Sequence, residues 1–239
     1  PEAKQACGID QLCAGLEAGI EGAVHAVQHE WDSHHEDNNY GFLMADADNA
    51  FNRQNRSVML WTVRHECPSL ARFAFNTYRH WSLLAIRGND GRATFLYSKE
   101  GVTQGDPISM VCYGVGMLPL VRTLKLAVPQ LVQPCYADDL GASGTFDNIR
   151  KYASLLQEIG PNYGYFIQFS KSILVVPRHL VEAATAALGD LGFVITTGSR
   201  YLGGFIGEDD VRQDWLQDKL EDWEDSVKAL ALVAKKYPQ

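Results

Sequence analysis

Two adjacent acidic residues, Asp138 and Asp139, lie between two short segments of small and apolar residues in LVQPCYADDLGAS. This pattern predicts two short strands that meet at a bend around Ala137, with both carboxylates at the bend. Two like charges held side by side raise the cost of ionising both groups, and a divalent cation would remove that cost. The adjacent pair therefore favours a site that binds a divalent cation.

A third acidic residue follows another apolar segment. Tyr40 to Met44 is a short, continuous apolar run, typical of a central strand, and Asp46 follows it after Ala45. Neighbouring strands are only about 4.8 Å apart, so a strand beside the bend would bring Asp46 close to Asp138 and Asp139. Hard oxygen ligands select Mg²⁺ or Mn²⁺, and two such ions can catalyse phosphoryl transfer. The sequence predicts a two-metal site here. Asp48 alone is as well explained as a cap or turn residue.

Hydrophobic periodicity predicts the other elements. The predicted helices are an amphipathic helix over Ile9 to Trp31, two helices from Phe51 to about Trp81 separated near Pro68, one capped by Asp106 that runs to about Leu126, one that ends near Ile159, one over HLVEAATAALGDLG, and one over Val211 to about Lys235. The predicted strands are the hairpin SLLAIR and RATFLYS, FIQFSKSILVV, FVIT and YLGGFIG. Most of the aromatic residues before the hairpin are expected in the core, namely Trp61, Phe73, Phe75, Tyr78 and Trp81.

Net charge and cysteine content limit the classes of protein to which this chain can belong. The net charge of −8 argues against strong binding of a phosphate backbone by this chain, although part of the acid excess lies in DKLEDWED near the C-terminus. Five cysteines without a CxxC motif fit reduced thiols in a cytosolic or nuclear setting. Cys7 and Cys13 with His25 and His29 resemble a zinc finger only faintly, because the two cysteines are too far apart. No membrane span is predicted, since the apolar run Ile108 to Val121 is short.

Five segments, in this order, resemble the motifs of reverse transcriptases, specifically those of non-LTR retrotransposons. They are FLMADADNAFN, EGVTQGDPISM, YADD, FSKS and YLGGFIG. The resemblance covers nearly the whole chain, and the order of the motifs is more specific than any one of them.

The resemblance implies a role for particular residues. Asp46, Asp138 and Asp139 are implied to be catalytic and to bind metal, with Ala47 as a further metal-binding position. Phe51 is implied to lie under the sugar and to exclude a 2′-hydroxyl, although core packing is the alternative for this ring. Gln104 and Gly105 are implied to contact template and nucleotide, and Lys171 the triphosphate. Leu202 and Gly203 are implied to form the primer grip.

The implied activity is RNA-directed DNA synthesis, in which a primer 3′-hydroxyl attacks a deoxynucleoside triphosphate and pyrophosphate leaves. The implied cofactor is a pair of Mg²⁺ or Mn²⁺ ions, and the implied partners are an RNA template, a DNA primer and dNTPs, without a membrane. The fingers motifs that clamp the triphosphate and a helical thumb are expected from other segments of a longer polyprotein.

The implied fold is an α+β polymerase palm, an antiparallel sheet backed by helices, with partial fingers and little of a thumb. The expected organisation is a helical fingers remnant over 1–39, the palm over 40–207 with a fingers-like insertion at about 52–100, and a C-terminal helix over 208–239. Two other functions stay open. Asp46-Ala47-Asp48 is also the DxD pattern of metal-dependent glycosyltransferases, and the chain could be an inactive remnant that binds nucleic acid or protein.

Overall fold

A computed structural model describes residues 1–14 and 16–237. The strands in this part of the chain are β1 Gly41–Ala45, β2 Ser82–Arg87, β3 Ala93–Ser98, β4 Cys135–Tyr136, β5 Asp139–Gly144, β6 Ile173–Val175, β7 Val194–Thr196, β8 Gly198–Tyr201 and β9 Gly204–Gly207. The α-helices are α1 Glu2–Cys7, α2 Gly19–His34, α3 Ala50–Arg53, α4 Arg56–Glu66, α5 Pro68–Tyr78, α6 Ser109–Ala127, α7 Phe146–Tyr163, α8 Val181–Leu188 and α9 Asp209–Lys236. Helices and strands thus form the expected α+β fold.

The central sheet has five strands in the order β4-β5-β1-β6-β7. β1 is antiparallel to both of its neighbours, β5 and β6. β6 and β7 are parallel, however, so the expectation of an antiparallel sheet is wrong at this edge. The reason is the connection: α8 lies between β6 and β7 in sequence and supplies the crossover that a parallel pair requires. The three strands predicted to form the centre, β4, β5 and β1, are consecutive in the sheet, but β4 lies at its edge and β1 is the middle strand.

Buried helices support this sheet. β1 shows the continuous burial of a strand that is covered on both faces, with Phe42 and Leu43 fully buried. α6 buries residues around most of its circumference and contacts α1, α4 and α7. By length and composition alone α6 could also cross a membrane, but 56% of its apolar window is buried inside the protein, as in a core helix. The site described below rests on this packed layer.

The predicted helix over Ile9 to Trp31 is wrong in its first half. α1 ends at Cys7, the chain passes Gly8 at φ +47°, and α2 begins only at Gly19. The intervening segment is drawn to the sheet, because the amide of Leu12 donates to the Cys135 carbonyl at 2.8 Å. A tertiary contact has therefore overridden the helical periodicity.

The predicted strand over FIQFSKSILVV is also shorter than expected. Only Ile173–Val175 is a strand, and the amides of Lys171 and Ser172 donate to the Gln168 carbonyl in a turn. The expected aromatic core before the hairpin is mostly wrong as well. Tyr78 is buried, but the other four rings are at least half exposed, namely Trp61, Phe73, Phe75 and Trp81.

Other boundaries agree closely with the sequence. The break near Pro68 separates α4 from α5, and the hairpin β2–β3 turns through Gly88 to Arg92. Asp106 accepts a hydrogen bond from the amide of Ile108 at 3.1 Å, just before α6 begins. α9 extends from the body with no buried residue, so its apolar side chains are largely in solvent.

Candidate active site

The register of β1 and β5 brings two of the predicted carboxylates to one end of the sheet. Ala45 is paired with Leu140, so the next residues along, Asp46 and Asp139, lie across from each other. Asp139 is the first residue of β5 and is itself paired with Tyr136 of β4. Two segments almost a hundred residues apart in sequence are thus held on neighbouring strands.

A groove of about 170 Å³ opens at this end of the sheet. Four of the residues expected in the site line it together, namely Asp46, Asp139, Lys171 and Leu202. Its remaining lining is Met44, Ala45, Leu140, Ile173, Arg200 and Tyr201. The groove therefore combines two carboxylates with two cationic side chains, a composition suited to a phosphate-containing ligand with divalent ions.

Asp138 lies on the tight turn that joins β4 to β5. Tyr136 pairs with Asp139, which leaves Ala137 and Asp138 as the two turn residues, and Ala137 has φ +54°. A hairpin turn of this length needs a positive φ, which is unfavourable for alanine. Asp138 is partly shielded from solvent on this turn and directly precedes Asp139, although it is not among the residues that line the groove.

The carboxylates perturb one another. Loss of hydration, followed by the charges of Asp138 and Asp46, raises the pKa of Asp139 to about 6. The pKa of Asp138 is also raised, first by loss of hydration and then by the charge of Asp46. All three groups therefore lie within electrostatic reach of one another, and their mutual repulsion is the kind that a bound cation relieves.

Backbone hydrogen bonds fix the position of Asp46. Its amide donates to Ser172 Oγ at 3.0 Å, and its carbonyl accepts from the amide of Gln168 at 2.8 Å. Ser172 is fully buried. The Tyr165 hydroxyl lies 3.2 Å from the Ala45 carbonyl oxygen and 3.1 Å from that of Asp138, so one buried group ties β1 to the turn.

Phe51 is connected to the turn that carries Asp138 through the ring of Tyr113. It is half-buried at the start of α3 and stacks on Tyr113, with ring centroids 4.3 Å apart. Burial and then the Asp138 charge raise the pKa of Tyr113, which places that phenol near the carboxylates. The stack supports Phe51 from the protein side and leaves part of the ring exposed.

The remaining predicted residues lie on two turns, and most of them are outside the groove lining. Gln104 and Gly105 are exposed in the turn before α6, where Gly105 has φ +90°. Leu202 and Gly203 form the two-residue turn of the β8–β9 hairpin, with φ +46° and +89°, the pattern of a type I′ turn. Of these two, Leu202 reaches the groove.

Asp48 and Ala47 differ from Asp46 in their surroundings. The Asp48 carboxylate forms an ion pair with Arg53, whose guanidinium stacks over the Phe166 ring at 3.7 Å. Ala47 forms an isolated β-bridge with Ile167. The hydrogen bonds of that bridge are made by Asp46 and Asp48, so it does not use the Ala47 carbonyl.

The donor set is compatible with magnesium but does not form a complete cage. Among residues 1–14 and 16–237, no three His, Cys, Asp or Glu side chains are grouped so that they could hold one metal ion. Mg²⁺ commonly takes only one or two protein carboxylates and completes its shell with water and substrate phosphates. Asp46 and Asp139 in one groove fit that partial type of site, with Asp138 adjacent.

Sequence reasoning missed three residues that build this site. Arg200 adds a second cation to the groove, and Tyr165 and Ser172 hold the backbone of the acidic segments. Arg200 directly precedes YLGG and Ser172 is the last residue of FSKS, so both had a usable signal in the sequence. The contacts of Tyr165 and Ser172 span 120 and 126 residues, so no local pattern shows them.

Comparison with known proteins supports the fold. No protein-family model matches the sequence, and no curated protein matches it. Similar solved structures include apo telomerase from Candida tropicalis, with a TM-score of 0.57 and 11% identity over 83% of this chain and 36% of the telomerase chain. Telomerase from Candida albicans, in complex with a TWJ fragment of telomeric RNA, has a TM-score of 0.56 and 11% identity over 80% of this chain and 32% of its own.

These likenesses define the class of fold. Telomerases share the reverse transcriptase fold, and this chain has a reverse transcriptase-like α+β fold. It spans about a third of the length of those telomerase chains.

Proposed function

We propose that this chain is the palm-containing part of an RNA-directed DNA polymerase of the non-LTR retrotransposon type. The observation that carries the proposal is the groove in which Asp46 and Asp139 meet beside Lys171. The order of the five motifs and the reverse transcriptase-like fold support it.

Divalent cations are the proposed cofactor. Asp46, Asp138 and Asp139 would hold Mg²⁺ or Mn²⁺, with the Ala47 carbonyl as a further candidate ligand. When bound, such ions lower the pKa of an attacking hydroxyl and neutralise charge on phosphate oxygens. The chain's own contribution is to hold these carboxylates in fixed positions, through the register of β1 and β5, the hydrogen bond that the Asp46 amide donates to Ser172, and the one that Tyr165 donates to the Asp138 carbonyl.

The proposed reaction is nucleotidyl transfer. The primer 3′-hydroxyl oxygen bonds to the α-phosphorus of a dNTP, the bond from that phosphorus to the bridging oxygen breaks, and pyrophosphate leaves while the hydroxyl proton passes to solvent. Most catalysis of this kind comes from positioning and charge neutralisation. Lys171 is proposed to contact the triphosphate from the groove, and Arg200, on the primer-grip hairpin, a phosphate of the primer.

Two further contacts are proposed for selection of the substrate. Phe51, supported by Tyr113, would meet the sugar and disfavour a 2′-hydroxyl. The exposed turn at Gln104 and Gly105 would contact the template and the incoming nucleotide, and a hydrogen bond from the Tyr78 hydroxyl to Asp106 anchors this turn to the body.

Because the chain has a negative net charge, most of the binding to nucleic acid is proposed to come from other segments. An RNA template and a DNA primer are the proposed partners, held largely by fingers and thumb segments of a longer polyprotein. The chain itself carries a net charge of −8, and a polyanion is attracted by the opposite sign.

The glycosyltransferase alternative is less well supported by the surroundings of Asp48. A DxD glycosyltransferase would bind its metal through both Asp46 and Asp48, but the Asp48 carboxylate forms an ion pair with Arg53. The inactive-remnant alternative has one observation in its favour, the absence of a three-residue metal cluster among the described residues.

Calorimetric titration of the chain with Mn²⁺ tests the metal site. We expect Asp46→Asn and Asp138→Asn to weaken binding about tenfold or more, because each removes a charged ligand and affinity for divalent ions depends on ligand charge. Asp48→Asn is the matched control and should leave the affinity unchanged. Weakening by Asp48→Asn but not by Asp138→Asn would favour the glycosyltransferase instead.

Primer extension tests the reaction itself. The chain restored to full length should extend a DNA primer on an RNA template with Mg²⁺ or Mn²⁺ present. Asp138→Asn should abolish incorporation while the Asp48→Asn control retains it. Primer extension by the Asp138→Asn protein would contradict the proposed two-metal mechanism. If the unmodified protein binds Mn²⁺ but does not extend the primer, the inactive-remnant alternative is favoured.

A further inference from the structure

A buried glutamine, distant in sequence from Asp138 and Asp139, forms hydrogen bonds to the turn that carries these two residues. Gln11 is fully buried between α1 and α2. Its Oε1 accepts a hydrogen bond from the amide of Ala137 at 2.7 Å, and its Nε2 donates to the carbonyl of the same residue at 3.0 Å. Nε2 also lies 3.0 Å from Cys135 Sγ. One side-chain amide therefore satisfies both polar backbone groups of a single residue.

Ala137 is the residue of the turn that most needs such support. It is 3% exposed, so its amide and carbonyl have little access to water, and buried backbone groups left unpaired are strongly unfavourable. It also has φ +54°, a conformation that alanine adopts only when its surroundings enforce it. Gln11 matches this conformation, because the planar amide presents an acceptor and a donor on the same side.

We propose that Gln11 is a positioning residue that sets the orientation of Asp138 and Asp139 by holding Ala137 in its left-handed conformation. This inference rests on the proposed function. Gln11 would not itself touch substrate or metal. Its effect would reach the metal site because the two carboxylates directly follow the residue that it holds.

Few other contacts fix this turn. The Tyr165 hydroxyl holds the Asp138 carbonyl, and Tyr136 pairs with Asp139 at the short end of the hairpin. The Tyr136–Asp139 pairing engages the carbonyl of the Tyr136–Ala137 peptide, and the Cys135 thiol lies 3.8 Å from the Ala137 carbonyl oxygen. Neither contact holds the Ala137 amide, whose only acceptor among the described residues is Gln11. Without Gln11 the turn would relax away from the conformation that presents both carboxylates.

The test replaces Gln11 with methionine, which keeps its length and removes both polar atoms. The matched control is Gln54→Met, because Gln54 is also buried and donates from Nε2 to the Tyr113 carbonyl at 2.8 Å. Two readouts are taken on folded protein: the dissociation constant for Mn²⁺, and the rate of amide hydrogen exchange at Ala137, Asp138 and Asp139. The second readout needs no metal.

We expect Gln11→Met to weaken Mn²⁺ binding about 10- to 100-fold, the range for groups that orient metal ligands. Exchange at Ala137 should also become at least about tenfold faster, since its amide loses its only partner in the described chain. Gln54→Met should change neither quantity at the turn. Unchanged Mn²⁺ affinity in Gln11→Met, with or without faster exchange, would overturn the positioning role.

The outcome for Gln11 stays separate from that of the proposed function. If Asp46→Asn binds Mn²⁺ as well as the unmodified chain does, the proposed metal site fails, and unchanged exchange at Ala137 would then show that Gln11 does not hold the turn either. If Gln11→Met does not fold, the same measurements compare Gln11→Met/Ala137→Gly with Ala137→Gly alone. Glycine adopts the left-handed conformation without help, so these two variants should bind Mn²⁺ about equally, and much weaker binding by the double variant would overturn the proposal.

Discussion

Replacing Tyr165 with phenylalanine removes one hydroxyl from the junction between β1 and the acidic turn. The ring is fully buried, and its hydroxyl lies 3.2 Å from the Ala45 carbonyl and 3.1 Å from the Asp138 carbonyl. One proton can serve only one acceptor well at a time, so the substitution costs the net value of about one hydrogen bond, about 1 kcal/mol. A buried carbonyl left without its partner adds to this cost, for a total loss of about 1–3 kcal/mol.

The assay is urea unfolding with a tyrosine-to-phenylalanine control elsewhere in the same region. Tyr201 is also buried, but its hydroxyl has no hydrogen-bond partner in the described part of the chain. Tyr201→Phe therefore removes a buried polar group at no loss of a bond, and stability should be unchanged or higher by up to about 1 kcal/mol. If Tyr165→Phe unfolds at the same urea concentration as Tyr201→Phe, the hydroxyl does not tie the two strands together.

Three further predictions concern other parts of the site. In the metal-free chain, the pKa of the Asp139 carboxyl is raised to about 6, so the folded state binds the carboxyl proton more tightly than the unfolded state does. The free energy of unfolding should therefore fall as pH rises from about 4 through 6. Nuclear magnetic resonance titration should show that pKa moving down in Asp46→Asn, and no movement would contradict the coupling. Gly164→Ala should destabilise by about 3 kcal/mol or more, because its Cβ would lie 2.0 Å from the Arg53 carbonyl. Gly192→Ala has a similar φ of +83° and open space around it, so only about 1–2 kcal/mol of backbone strain is expected, and equal melting temperatures of the two variants would refute the clash. Arg200→Gln should weaken binding of a primer–template without lowering Mn²⁺ affinity, and an unchanged dissociation constant for primer–template would exclude the phosphate contact.

The parts of the fold that sequence predicts well are those with strong local signals. The continuous apolar run that becomes β1, the turn chemistry of the β2–β3 hairpin and the helix break at Pro68 all appear in the structure close to their expected positions. The bend between β4 and β5 was also predictable, because two acidic residues interrupt an apolar segment.

The failures share a physical cause, namely contacts between distant parts of the chain. The segment after α1 is not helical because Gln11 and Leu12 bond to β4 and its turn, and periodicity carries no information about that competition. Burial is similarly non-local. Trp61 and Phe73 lie on helices with the expected spacing but point away from the body, so both rings are exposed.

The candidate site divides in the same way. Asp46, Asp139 and Lys171 were named from motifs, and the structure places them around one groove. Tyr165 belongs to no motif and Ser172 is the last residue of FSKS, but both reveal their supporting role only through their hydrogen bonds.

The central claim is that Asp46, Asp138 and Asp139 share divalent cations. Crystals of the chain soaked in Mn²⁺ would locate the ion directly by its anomalous scattering. The account predicts a peak within bonding distance of carboxylate oxygens from Asp46 and from at least one residue of the Asp138–Asp139 pair. A peak bound by Asp48 in place of that pair, or bound Mn²⁺ only at other surfaces of the chain, would contradict it.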